Sequence, residues 1–185
     1  MLLKGPVSPE RVHARHMQYA GELVAGGVTF RNDIAATDSR VLALIRTEVR
    51  GSGNFDPRVS TVTITAFSDT DDVIGVCVAG VHTLGDSREP WAYLWQLAVD
   101  PEWRMRGIGT VLLTMLPEVI VSLTPAIARL NGIYGACARE DARFYQRAGF
   151  AVLQPGLPLS LLLPAAQPWG TEASSHYSCW IARPW

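Results

Sequence analysis

The segment from Leu94 to Leu113 constrains the fold more than any other part of the chain. It opens as a β-rich run ending in Leu97, Ala98 and Val99 and breaks at the turn Asp100-Pro101-Glu102. After Trp103 it crosses a basic loop and enters a helix near Gly107 that carries Leu112, Leu113 and Leu116. The first N–H groups of a helix lack partners within it, and the macrodipole there is positive. A diphosphate at that point gains several charge-assisted hydrogen bonds. Gly107 and Gly109 let phosphates approach the backbone, while Arg104 and Arg106 put positive charge beside the amides. Two glycines at a helix start often serve packing or turning alone; the arginines and the preceding strand are what point to an anion. The loop lacks the third glycine of the dinucleotide fingerprint and the Gly-Lys-Ser/Thr of a Walker A loop, so neither class is indicated.

The rest of the chain alternates strand and helix patterns. Pro9 to Ala25 has helical spacing, Val28 to Arg31 reads as a short strand, and a second helix starts at Thr37 or Asp38 and stops at Gly51. Val59 to Phe67 and Val73 to His82 flank the polar turn Ser68 to Asp72 and read as an antiparallel hairpin. Trp91 to Val99 is a third strand of that region. Pro117 and Pro125 leave the later course of the helix after Gly107 open. Further on come a strand Ile133 to Ala138, a short helix Glu140 to Ala148 ending at Gly149-Phe150, and strands at Ala151 to Leu153 and Tyr177 to Ala182. Gln154 to Ser175, rich in Pro, Gly and Leu, reads as an irregular surface loop, with a role over the site or against a partner as the alternative. This order predicts an α/β or α+β fold, a mixed sheet with helices on both faces. No repeat or composition break divides residues 1–185, so one domain is expected.

Composition excludes several classes. A net charge of -1 provides no global basic field for nucleic acid or an anionic membrane, so any anion must be captured locally. The longest apolar candidate, Leu157 to Ala166, is broken by Pro158, Ser160 and Pro164, well short of a membrane span. The N-terminal stretch has no apolar core of signal-peptide length, so a cytoplasmic location is expected. Cys77, Cys137 and Cys179 lie far apart with no CxxC or His/Cys spacing, which indicates neither a disulfide framework nor a metal site; they read as small buried residues.

The run Arg104-Met105-Arg106-Gly107-Ile108-Gly109-Thr110, preceded by Leu97-Ala98-Val99-Asp100-Pro101, resembles the main acetyl-CoA motif of the GNAT acetyltransferase superfamily: Gln or Arg, two residues, Gly, one residue, Gly or Ala. Ala142 to Phe150 resembles that family's second cofactor motif, and the likeness covers about residues 73–153. The resemblance implies a mostly antiparallel sheet with a splayed strand pair that holds the cofactor. It implies pantetheine pairing with the backbone of Leu97, Ala98 and Val99, and a diphosphate held by residues 104–110. Those three side chains also suit plain core packing. The same resemblance makes Tyr145 the acid that protonates the departing thiolate; an ordinary core tyrosine is the competing reading. The position where some relatives carry a Glu or His base is Tyr93 here, a poor base near neutral pH. His82, Glu118 and His176 are alternatives, and a neutral amine would need none. Trp91, Tyr93 and Trp95 share a face by alternation, as core or as an acceptor pocket.

The activity implied is acetyl transfer from acetyl-CoA to a primary amine of a small molecule or protein, in a cytoplasmic protein that could form a homodimer and that uses no metal. Transfer of a longer acyl group, or a CoA-binding module without catalysis, are the alternatives. Acceptor choice is expected to lie in the first 50 residues and in the Gln154 to Ser175 loop.

Overall fold

Alternating Val, Thr and Ile produce the hairpin that organises the sheet. In the computed structural model, which describes residues 2–4, 6–34, 38–49, 61–84, 89–124, 126–127, 129–164 and 177–185, β3 (Thr61–Phe67) pairs antiparallel with β4 (Val73–Leu84). Their turn is closed by Ser68, whose N–H donates to the Asp72 carbonyl at 2.9 Å and whose hydroxyl accepts from the N–H groups of Thr70 and Asp72. This is the local side-chain-to-backbone bonding that favours Ser in turns.

The remaining elements are β1 (Leu2–Lys4), α1 (Pro9–Ala25), β2 (Thr29–Ile34), α2 (Ser39–Glu48), β5 (Glu89–Val99), α3 (Ile108–Leu123), β6 (Gly132–Cys137), α4 (Ala142–Arg147), β7 (Ala151–Leu153) and β8 (Cys179–Pro184). Contacts group the chain into two compact units. One comprises His13–Gly80 and Leu94–Ala128, the other Met1–Val12, Val81–Tyr93 and Arg129–Trp185.

In the first unit β2 adds antiparallel to the free edge of β3, with Thr29 opposite Phe67. Helices cover both sheet faces. Val76 and Val78 of β4 pack with Val41 and Ile45 of α2, and Ala98 of β5 joins them. A Cβ on Gly75, the residue before Val76, would lie 2.7 Å from Ile108 and 3.3 Å from Leu112, so the opposite face meets α3 directly. Asp38 caps α2 by accepting from the Arg40 N–H at 2.8 Å. Helix α3 continues past Pro117 to Leu123, which settles the course the sequence left open. Proline in a helix interior costs roughly 3 kcal/mol. Ile108, Val111, Leu112, Leu116 and Ile120 are almost fully buried, and at about 1.5–3 kcal/mol for each buried aliphatic side chain their packing outweighs that cost.

In the second unit β8 pairs antiparallel with both β6 and β7, and β7 with β1. Trp91, Tyr134, Leu153, Leu159, Leu163 and Trp180 form its core. Leu159 and Leu163 belong to the segment read as a surface loop; its beginning is in fact anchored in the core, while residues 165–176 lie outside the described residues. Arg183 of β8 donates to the Ala148 carbonyl at the end of α4 at 2.8 Å and lies over the rings of Phe150 and Trp185. Burial lowers its pKa to about 10, which leaves the guanidinium charged at neutral pH, as suits a helix C-terminus. Cys77, Cys137 and Cys179 are all buried free thiols. No helix among the described residues is long and apolar enough to cross a membrane.

Candidate active site

The loop between β5 and α3 is held at several of its residues. Asp100 caps a short 3-10 turn, Pro101–Trp103, by accepting from the Glu102 N–H at 2.8 Å, and its own N–H donates to the Ile74 carbonyl at 3.0 Å. Arg104 then folds back. Its Nε donates to the Val99 carbonyl at 3.1 Å and an Nη meets the carboxylate of Glu48, the last residue of α2. The guanidinium of Arg106 lies over the Trp103 ring, 4.7 Å from its centroid, on an exposed side chain.

Gly107 is the N-cap of α3 at φ 91, a left-handed conformation that favours glycine, and its carbonyl accepts from the Val111 N–H at 3.0 Å. A second constraint is spatial. A Cβ on Gly107 would overlap the ring of Tyr19 in α1 and lie 2.6 Å from the Tyr19 Cβ. Ile108 and Gly109 are buried behind the cap, and the Thr110 carbonyl accepts from the Thr114 hydroxyl at 2.9 Å. Tyr19, Glu22, Trp103, Met105 and Arg106 line part of a cavity of about 370 Å³ beside the loop.

Met105 also sits in the left-handed region, at φ 63, with 91% of its surface exposed. Backbone strain of about 1–3 kcal/mol at such a residue is set against roughly 0.5–1 kcal/mol for the entropy of glycine. Met105→Gly removes no buried contact. It is therefore expected to leave stability unchanged or raise it by about 1 kcal/mol, read as an equal or higher melting temperature. A clear fall would show that the Met105 side chain contributes contacts despite its exposure.

Of the strand residues, Ala98 is buried against α2, and Leu97 and Val99 are half-buried. Tyr145 lies in α4, buried, with its ring edge-to-face against Phe144 (5.0 Å) and Phe150 (5.6 Å), and its carbonyl accepts from the Phe150 N–H. His82 and Tyr93 meet edge-on at 5.8 Å, and Tyr93 meets Tyr134 at 5.0 Å. Desolvation lowers the His82 pKa and raises that of Tyr93, so both are neutral near neutral pH. Trp91 packs on Tyr134 as core, whereas Trp95 is 39% exposed. Glu118 is exposed on α3, where its charge acts on His16. His176 lies outside the described residues. Among the described residues no group of three His, Cys, Asp or Glu side chains could hold a metal.

Tyr19 and Glu48, which touch the loop, were not legible as site residues. Glu48 is 56 positions from its partner Arg104, and nothing in either residue's local pattern sets it apart from other helix positions.

Residues 60–152 match the sequence model of the acetyltransferase (GNAT) domain. No curated protein is significantly similar in sequence to the chain. Among solved structures, Arabidopsis thaliana NAA60 in complex with acetyl-CoA aligns over 85% of this chain and 98% of its own, with a TM-score of 0.57 and 16% identity. The same protein in complex with a bisubstrate analogue aligns over 85% and 97%, with a TM-score of 0.55 and 16% identity. A GNAT-family acetyltransferase from Staphylococcus aureus Mu50 aligns over 85% and 98%, with a TM-score of 0.54 and 16% identity. At such identities the likeness is one of fold: a mixed, mostly antiparallel α/β architecture.

Proposed function

The chain belongs to the GNAT acetyltransferase family, and we propose that it transfers an acetyl group from acetyl-CoA to a primary amine of a small molecule or protein, by direct attack within a ternary complex. The observation that carries this reading is the N-terminus of α3. A left-handed glycine cap places the first amides of a long helix directly after a loop that bears an exposed arginine, and that arrangement suits a diphosphate. Such a site fits acetyl-CoA without a large basic surface, in keeping with a net charge of -1.

In this reading the amides of residues 107–110 and the Arg106 guanidinium bind the diphosphate, and the backbone of Leu97, Ala98 and Val99 lies along the pantetheine. Tyr145 protonates the thiolate as it leaves. An amine that arrives neutral needs no base in order to attack; the proton its nitrogen loses as the amide forms restores the Tyr145 hydroxyl, so the products are the amide and free CoA thiol. Where one is needed, His82 is a candidate: burial lowers its pKa and keeps the imidazole neutral, at a cost in basicity. The proposed setting is cytoplasmic, with the acceptor chosen by residues outside the cofactor motifs.

The test is turnover of acetyl-CoA across a library of small amines and peptides, followed by release of free CoA thiol, with longer acyl-CoAs in parallel. The expected result is acetyl transfer to at least one amine, with acetyl-CoA the preferred donor. Preference for a longer chain would move the assignment to another acyltransferase. Binding without turnover on any amine would make the chain a CoA-binding module.

A further inference from the structure

We propose that Glu48 is a positioning residue for the cofactor loop, holding Arg104 and, through it, the turn that leads to the amides at the start of α3. The inference deepens the reading above and rests on acetyl-CoA binding at that loop.

Glu48 is poorly placed for the stability of its own helix. It is the last residue of α2, where the macrodipole is negative and a carboxylate is disfavoured. Its side chain is only 14% exposed, so it has also lost most of its water. What offsets both costs is Arg104, half-exposed at 51%, whose Nη it accepts from. Arg104 spends its Nε on the Val99 carbonyl. A guanidinium is a rigid planar fork, so two acceptors on two elements, the end of β5 and the end of α2, fix the side chain and with it the backbone from Val99 to Arg104, the base from which Met105 and Arg106 lead to the Gly107 cap. Arg104 thereby becomes a brace bonded to Val99 and Glu48, and of the loop's two arginines Arg106, which lies over the Trp103 ring, is the one assigned to meet a phosphate.

A braced loop presents its amides in the binding geometry before the ligand arrives, and a loosened loop must be ordered on binding. The diphosphate lies far from the reacting bonds and is held alike in ground and transition states, so the loss falls on KM rather than on kcat.

The 185-residue chain is used for the test. Acetyl-CoA affinity is measured by calorimetry, steady-state kinetics with the best acceptor, and amide hydrogen exchange over residues 105–110 without ligand. In Glu48→Ala, the acetyl-CoA Kd and KM are expected to rise about five- to tenfold, the scale of one partly exposed charge-assisted hydrogen bond, while kcat stays within about twofold. Loop amides should exchange faster, and Glu48→Gln, which keeps an acceptor oxygen, should recover part of each effect. Combining Glu48→Ala with Arg104→Ala should add little to either alone. Unchanged affinity, fully additive losses, or tighter binding in Glu48→Ala would overturn the proposal; the last would mean that Glu48 competes with phosphate for Arg104. If the wild-type protein binds no acetyl-CoA, the functional reading fails on its own. The brace is then judged by exchange alone, and unchanged loop exchange in Glu48→Ala would overturn it.

Discussion

Alanine at Gly107 will abolish the stabilisation of the protein by acetyl-CoA and will also lower the melting temperature of the free protein. Both effects come from one carbon atom. An L-residue at φ 91 costs about 1–2 kcal/mol, and a Cβ that overlaps the Tyr19 ring adds about 1–3 kcal/mol of overpacking. The sum, roughly 2–5 kcal/mol, corresponds to a fall of about 5–15 °C for a chain of this size. The cap also sets the direction of the first amides of α3, so relief of strain by moving the cap misaims them. Thermal melts with and without acetyl-CoA read both terms. Tyr19→Ala in the Gly107→Ala background should cost less than the separate losses predict, because the overlap is gone and only the φ strain remains. A Gly107→Ala protein that keeps the full acetyl-CoA shift would place the site elsewhere. An unchanged melting temperature without ligand would show that α1 does not press on the cap.

The two constraints on Gly107 differ in how far the sequence revealed them. That a glycine opens a helix after a basic turn is a local pattern, readable from Arg104 to Thr110 alone. That Tyr19 fills the space beside it depends on where α1 is brought by the fold, and no spacing within α1 announces it. The same division holds elsewhere. Helix α1 has the bounds expected from its periodicity, and the hairpin strands lie where Val, Thr and Ile alternate, since these signals are carried by contiguous residues. Strand β1 is three residues long, too short to show a period, and it forms because β7 offers it an edge. The continuation of α3 past Pro117 went against local propensity, and burial of its apolar stripe decided it. Leu159 and Leu163 looked like loop residues because proline and glycine surround them; a core that lacked two side chains took them in. The Glu48–Arg104 contact is the extreme case, an electrostatic pairing set wholly by tertiary structure.

Tyr145→Phe is expected to lower kcat by at least tenfold while leaving acetyl-CoA affinity and melting temperature nearly unchanged. The residue stands at the position where the family resemblance implies an acid, and a positioned acid is worth about a hundredfold to ten-thousandfold in rate, roughly 3–5 kcal/mol of barrier. Tenfold is set as the floor, because water can replace part of a missing donor. The ring lies edge-to-face between Phe144 and Phe150, and such packing is worth about 0.5–1.5 kcal/mol for each aromatic pair. Phenylalanine keeps both contacts and removes only the hydroxyl. The variant therefore separates two roles that burial alone leaves together. Loss of turnover at constant stability assigns the hydroxyl to the departing thiolate. Loss of stability with turnover intact assigns it to the core, and the acid is then water or another side chain.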